Sequence, residues 1–190
     1  DLDRTLLGKT SGMSRMVKSA TSPDHRNLFL AWVDEFVQGN SRVMYSRVDL
    51  SGNLTAATTV DELDGGVSAL SLAASSGGDV FVGWAPDETV QDEPFAYLAK
   101  LSRDGVQEIT DLDVQSLKRE ASLHSLTVDS SGNMHLVWVG VTEDLLTVPR
   151  PIRLSQPRIY HLRVPRKGLS EGNSERLSQG VAAAFVAEDG

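Results

Sequence analysis

Acidic side chains follow each of the three tryptophans in this 190-residue chain. The pairs are Asp34 and Glu35, Asp87 and Glu88, and Glu143 and Asp144. Neighbouring carboxylates can act as general acid and base or hold a hard cation, and they are also typical of a solvated, charge-repelling surface. The sequence fixes no distance between them, so we assign no catalytic residue and predict Asp34, Asp87 and Glu143 as ligand-binding residues.

A basic stretch contrasts with these acids. No Asp or Glu occurs between Leu145 and Ser170, where six basic residues lie: Arg150, Arg153, Arg158, Arg163, Arg166 and Lys167. Without these six, 12 basic residues remain against 26 acidic ones. Arginine suits the recognition of carboxylates, sulfates, phosphates or an acidic protein surface. We predict Arg150, Arg153 and Arg158 as ligand-binding residues, with packing of this stretch on a neighbouring acidic surface as the alternative.

Composition excludes several classes of function. The net charge of −8 and the pI near 4.9 argue against nucleic acid as a partner. No apolar run approaches the roughly 18 residues of a membrane-spanning helix. Cysteine is absent, which removes disulfides and thiolate chemistry. The histidine spacing indicates no metal site, no glycine-rich phosphate loop occurs, and we predict no cofactor. Asn53-Leu54-Thr55 is a candidate N-glycosylation sequon.

The elements that position these residues repeat along the chain. Trp32, Trp84 and Trp138 each end an alternating apolar run that follows a turn, at intervals of 52 and 54 residues. A second alternating run carries a tyrosine 13, 13 and 22 residues later, at Tyr45, Tyr97 and Tyr160. Small residues open each unit, and a weaker run closes it. This pattern predicts an all-β fold of four-stranded antiparallel repeats, the blades of a β-propeller, with the aromatic residues packed between blades. A single β-sandwich is the competing architecture.

The repeat boundaries give three complete blades and two partial ones. We predict the end of a preceding blade at 1–12, blades at 13–65, 66–117 and 118–179, and the first strand of a following blade at 180–190. The third blade carries a long basic loop between Trp138 and Tyr160. Because propellers have about four to eight blades, we expect the chain to form part of a larger propeller or to close with another copy.

The pattern D-x-x-G-N-x-H-L-V-W, I-Y-H-L-R, G and R-L-S resembles the repeats of bacterial and archaeal sialidase-like (BNR-type) propellers. The Asp box of that family, S-x-D-x-G-x-T-W, is degraded here. Ser22-x-Asp24 lacks the glycine, and Gly132 follows Asp129 without the Ser-x-Asp spacing. The resemblance implies six or more blades and ligand binding on the rim formed by the loops after strands two and four.

Three hypotheses about function follow. The first is a non-catalytic binding or assembly module of an extracellular or cell-surface protein, which recognises a protein or a glycan through its rim loops. The second is a sialidase-like glycoside hydrolase whose catalytic residues lie partly outside this segment. The third is a structural subunit that closes a ring or a filament with other copies.

Overall fold

The computed structural model describes residues 13–36, 39–87, 96–102, 105–112, 122–146, 152–164 and 183–185. These ranges contain β-strands and no helix, so the predicted all-β class is confirmed for the described part of the chain. The strands are β1 (Met13–Thr21), β2 (Asn27–Glu35), β3 (Ser41–Asp49), β4 (Thr58–Leu63), β5 (Val67–Ala74), β6 (Val80–Pro86), β7 (Ala96–Ser102), β8 (Gly105–Leu112), β9 (Ser122–Val128), β10 (Met134–Leu146), β11 (Ile152–Val164) and β12 (Ala183–Phe185).

The strands form three antiparallel sheets of four. Sheet 1 contains β1 to β4, sheet 2 contains β5 to β8, and sheet 3 contains β9 to β12. Within each sheet, every strand pairs with the strand that follows it in the chain. Alternation of apolar residues between turn residues explains these strands, since it favours extended backbone with a face to bury. Strand β6 is buried on both faces, because sheet 2 contacts both sheet 1 and sheet 3. The four-stranded antiparallel repeat is therefore confirmed, while its assignment to propeller blades stays a prediction.

The region between Trp138 and Tyr160, predicted as a long basic loop, is mostly a β-hairpin. Strands β10 and β11 are 13 residues long each and pair without a register shift along their whole lengths. The prediction of a loop is wrong for both arms. Apolar and β-branched residues in each arm favour extended backbone, so the ladder continues past the aromatic residues. The connection, residues 147–151, lies outside the described residues.

The segment predicted to open a following blade instead joins sheet 3. Ala183–Phe185 forms β12, and its Cα partners on β11 are Ile159, Tyr160 and His161. Similarity to an opening strand does not determine pairing, because the open edge of any sheet can accept a strand through its backbone groups. The weaker run predicted to close the third blade and the partial blade predicted at 1–12 lie outside the described residues.

Neighbouring sheets contact each other in a repeating way. Strand β5 lies against β1 and β2 of sheet 1, and β9 lies against β5 and β6 of sheet 2. Sheets 1 and 2 bury one shared core, formed by Phe29, Ala31, Val33, Val43, Tyr45 and Val60 of sheet 1 and by Val67, Leu70, Val80, Val82, Trp84, Ala99 and Leu101 of sheet 2. The two sheets thus pack face to face, and burial of these apolar side chains stabilises the contact.

The tyrosines of sheets 1 and 2 lie on different faces relative to the tryptophans. Trp84 pairs with Tyr97, and their stacked rings have centroids 5.6 Å apart. Trp32 pairs instead with Met44, and Tyr45 pairs with Ala31. Because directly paired residues share a face and successive residues alternate, Tyr45 lies on the face opposite Trp32. Equal spacing in sequence therefore does not give equal placement.

Two turns of the sequence D-x-S-G-N have the same structure. Asp49 in the turn before β4 accepts hydrogen bonds from the backbone amides of Ser51 and Asn53 at 2.8 and 2.9 Å, and from the Asn53 side chain at 3.0 Å. Asp129 makes the same three contacts in the turn 129–133 before β10, at 2.9, 2.8 and 2.7 Å. Gly52 and Gly132 have φ of 79° and 82°, which glycine adopts without strain.

Candidate functional site

A cleft opens between sheets 1 and 2 where the β1–β2 and β5–β6 turns lie, here called the turn end. Its volume is about 490 Å³, within the range of small-ligand sites. The lining residues are Ser22, Pro23, Asp24, Asn27, Phe29, Tyr45, Arg47 and Asp49 on the sheet 1 side and Ser75, Ser76, Gly78, Val80 and Ser102 on the sheet 2 side. We call this the turn-end cleft. Polar side chains thus surround a small apolar floor.

The sheet 1 wall of the cleft is set by strand register. Asn27 pairs with Asp49, Phe29 with Arg47, and Ala31 with Tyr45. Paired residues share a face, so this wall places an amide, a carboxylate and a guanidinium in line with two aromatic rings. The rings of Phe29 and Tyr45 are stacked with centroids 6.3 Å apart. Both rings are buried and also belong to the shared core.

Two carboxylates at this end are stabilised as anions. The pKa of Asp24 is lowered, first by the hydroxyl of Ser22, which donates to Oδ1, and then by the backbone amide of Arg26 at 3.1 Å. The pKa of Asp49 is lowered, first by the side-chain amide of Asn53 and then by the backbone amides of its own turn. Hydrogen bonds to the charged form explain both directions.

Tyr45 and Arg47 supply donors. Burial raises the pKa of Tyr45, with the nearby charge of Arg47 acting against this, so the phenol keeps its proton at neutral pH. The Nε atom of Arg47 is buried and has no hydrogen-bond partner in the described part of the chain. Arg47 also lines the cleft, and its guanidinium charge would strengthen a hydrogen bond to an acceptor atom of a ligand. The cleft can therefore both donate to and accept from a polar ligand.

The acids predicted after the first two tryptophans lie at the opposite end, here called the acidic end, and contact protein groups. Asp34 is buried and accepts a hydrogen bond from the Ser14 hydroxyl at 2.6 Å. Asp87 lies 3.5 Å from Nη2 of Arg15, which also forms an ion pair with Glu35. The same guanidinium donates to the Val67 carbonyl at 2.9 Å. Arg15 thus bridges sheets 1 and 2 at this end.

Gly66 lies in close contact with Asp87. The amide of Asp87 donates to the Gly66 carbonyl at 2.9 Å. A Cβ at Gly66 would collide with the Asp87 carboxylate. Asp34, Glu35 and Asp87 therefore lie at the acidic end, where Ser14 contacts Asp34 and Arg15 contacts Glu35 and Asp87. Neither Ser14 nor Arg15 was predicted from the sequence.

The predicted residues of the third repeat are spread along the long hairpin. Glu143 pairs with Ser155, Arg153 with Leu145, and Arg158 with Gly140. These pairings describe the backbone, and the side chains of Glu143, Arg153 and Arg158 lie outside the described part of the structure. Arg150 lies outside the described residues.

Asn53, the predicted glycosylation residue, lies in the exposed turn before β4, and its side chain donates to Asp49. In the described residues, no group of three or more His, Asp or Glu side chains is arranged to hold a metal ion. Nor do those residues include a helix long and apolar enough to cross a membrane.

Sequence reasoning missed the turn-end cleft. Its residues come from two turns and four strands, and none of them forms a recognisable local motif. Tyr45 is predicted from the sequence only as a packing residue between blades, and no prediction is made for Phe29. One feature of the sequence relates to the cleft: turns rich in serine and aspartate recur at 22–24 and 75–79. This composition predicts two turns, but it does not predict that they lie side by side.

Comparison with models of known protein families gave no match, and comparison with curated proteins gave none either. The function proposed below therefore depends on the fold and on the residues of the cleft.

Proposed function

We propose that sheets 1 to 3 are successive blades of a β-propeller that resembles the sialidase-like (BNR-type) family. Three observations support this assignment. Each sheet is a four-stranded antiparallel meander, each first strand lies against the first two strands of the preceding sheet, and sheets 1 and 2 share a core. Further blades, from the same chain or another copy, would complete the ring.

This unit is a non-catalytic binding module of an extracellular or cell-surface protein, and its ligand is a glycan bound in the turn-end cleft. The observation that carries this conclusion is the lining of the cleft. Serine hydroxyls, two carboxylates, an amide and a guanidinium surround an apolar floor that includes Phe29 and Val80. A sugar ring offers hydroxyls that both donate and accept and C–H groups that pack on apolar surface, so its chemistry matches this lining.

Arg47 carries the most specific part of this proposal. Arg47 lines the cleft, and its charge lies between the Tyr45 phenol and the Asp49 carboxylate along β3. A hydrogen bond from a charged donor to a sugar oxygen contributes about 1.5–3 kcal/mol. Replacement of Arg47 by alanine should therefore weaken glycan binding by about tenfold or more.

The test is a titration of the protein with a panel of neutral and acidic oligosaccharides and of short peptides, followed by calorimetry on those that bind. Arg47→Ala is the test variant. Arg42→Ala is the matched control, because Arg42 lies on the same strand, is partly exposed and pairs with Glu62 away from the cleft. Loss of affinity in Arg47→Ala alone supports the proposal. Equal affinity in both variants, or binding of peptides but of no oligosaccharide, contradicts it.

A further inference from the structure

Three titratable side chains form a continuous row on sheet 3. Nε2 of His135 lies 3.2 Å from Oδ2 of Asp129, and Nδ1 of His135 lies 2.9 Å from Nε2 of His161. Asp129 belongs to the turn before β10, His135 to β10, and His161 to β11. The row therefore joins a turn and two strands at the base of the long hairpin, remote from the cleft residues in sequence.

The two imidazole rings meet edge to edge. Their planes are 11° apart and their centroids 5.1 Å apart. An imidazole nitrogen lies only about 1.15 Å from its ring centroid by standard covalent geometry. At a centroid distance of 5.1 Å, two nitrogens can be 2.9 Å apart only if both lie close to the line that joins the centroids. That line then lies in both ring planes, so the rings are nearly coplanar. The contact is therefore an in-plane N–H···N hydrogen bond and not a stack of ring faces.

Asp129 determines which nitrogens carry protons. Its pKa is lowered, first by the side-chain amide of Asn133 and then by the Asn133 backbone amide, so the carboxylate is ionised and only accepts. Nε2 of His135 must then donate to it. In the neutral ring this leaves Nδ1 of His135 as an acceptor, so Nε2 of His161 donates. Nδ1 of His161 remains as the acceptor at the end of the row.

We propose that Asp129, His135 and His161 form a proton-binding site that holds β10 to β11 at neutral pH and releases this contact in mild acid. The first added proton binds Nδ1 of His161 and leaves both hydrogen bonds in place, with its charge balanced by Asp129. The second binds Nδ1 of His135. No acceptor then remains between the rings, and two cations face each other across the former hydrogen bond.

The charged surroundings favour release after the second proton. The Cα partners of His135 are Thr127 on β9 and Arg163 on β11, and those of His161 are Val137 on β10 and Ala183 on β12. Among these, Arg163 alone is charged, and it is exposed. One carboxylate, Asp129, thus faces two imidazolium groups with an additional arginine nearby.

Two measurements test the proposal on the whole chain. The first is an NMR titration of the histidine ring nitrogens between pH 8 and pH 4.5, with the exposed turn residue His25 as the internal reference. At pH 8 we expect Nε2-protonated rings at His135 and His161. The second is hydrogen exchange, corrected for the intrinsic rate. The amides of residues 134–137 and 161–164 should exchange at least about tenfold faster at pH 5 than at pH 7.5.

His161→Gln and His161→Ala separate proton binding from simple packing. Gln offers a side-chain amide donor that does not titrate, so it should keep the contact with His135. Hydrogen exchange in this variant should then be equally slow at pH 5 and pH 7.5. Ala removes the contact and should give fast exchange at both pH values. If His161→Gln still exchanged faster at pH 5 than at pH 7.5, or if His135 carried its proton on Nδ1 at pH 8, the proposal would be wrong. The turn amides of Ser51 and Asn53 report any general loosening.

Discussion

Sheets 1 and 2 carry the same tryptophan–tyrosine spacing and use it differently. In sheet 2, the residue directly opposite Trp84 on the neighbouring strand is Tyr97, 13 positions further along the chain. Trp84 and Tyr97 therefore lie on the same face, the one turned toward sheet 1. In sheet 1, the residue directly opposite Trp32 is Met44, only 12 positions further along the chain. Tyr45, the next residue, therefore lies on the opposite face, where it joins the core shared with sheet 2. Two repeats that look equivalent in sequence thus contribute different aromatic residues to one contact.

A difference of one residue in strand pairing therefore decides which side chains reach the cleft. This difference brings Tyr45 onto the face of sheet 1 that meets sheet 2, in line with Phe29 and Arg47. Without it, Arg47 would lie on the other face and would not line the turn-end cleft. A one-residue change in register moves every side chain of a strand to the opposite face, so small differences between repeats have large consequences for function.

Replacement of the two tryptophans should give the largest difference between the sheets. Trp84 lies in the shared core and Trp32 does not, although both are buried. Trp84→Ala should lower the free energy of unfolding by about 3–5 kcal/mol, because the cavity opens between two sheets. Trp32→Ala should cost at least about 1 kcal/mol less. Urea unfolding measures both values, and an equal loss would contradict the non-equivalence of the two residues.

The ion pairs of Arg15 between sheets 1 and 2 and of Arg42 within sheet 1 provide the next comparison. Arg15→Met removes one guanidinium from Glu35, Asp87 and the Val67 carbonyl, and we expect a loss of about 1–3 kcal/mol. Arg42→Met breaks a more exposed pair with Glu62 within sheet 1 and should cost about 0–1 kcal/mol. Denaturant titration at low and high salt distinguishes them. A larger loss in Arg42→Met would mean that Arg15 does not join the sheets.

Alkaline pH should destabilise the contact between sheets 1 and 2, because Tyr45 lies buried in it. Burial raises the pKa of this phenol above its value of about 10 in an unfolded chain. Its contribution to stability is therefore fully present below pH about 10 and is lost as the pH rises through the folded-state pKa. We expect the unfolding midpoint to fall less steeply between pH 9 and 11 in Tyr45→Phe than in the wild type. Tyr97→Phe keeps Tyr45 and should keep the wild-type slope.

Acid should loosen the turn after β3 in sheet 1 and spare the β5–β6 turn of sheet 2, the smallest effect of the four. The lowered pKa of Asp49 means that its contribution is present above pH about 4 and is lost as the pH falls through the folded-state pKa. Ser75 holds the β5–β6 turn through a hydroxyl, which accepts from the Asp79 amide at 3.1 Å and does not titrate. Hydrogen exchange should become faster at Ser51 and Asn53 near pH 2 but not at Asp79. Equal acceleration at all three amides would point to global unfolding.

Much of the local structure could be predicted from the order of residues. Apolar alternation before Trp32, Trp84 and Trp138 indicated the second strand of each sheet, and Asp, Ser, Gly and Asn indicated the turns. The long hairpin was missed because its arms carry arginine, proline and acidic residues that were interpreted as a loop. The placement of Ala183–Phe185 was missed because strand pairing depends on which edge is open. Predicted acids such as Asp34 were found in contact with Ser14, a partner 20 positions away that no motif marks.

Local chemistry by itself therefore determined the strands, the turns and the class of fold, since backbone preference and period-two burial act over a few residues. Only the tertiary structure decided the register of Tyr45, the meeting of Arg15 with Asp87, the cleft around Arg47 and the edge-to-edge contact of His135 with His161. Each of these joins residues from different strands, and in such contacts a shift of one position exchanges a buried face for an exposed one.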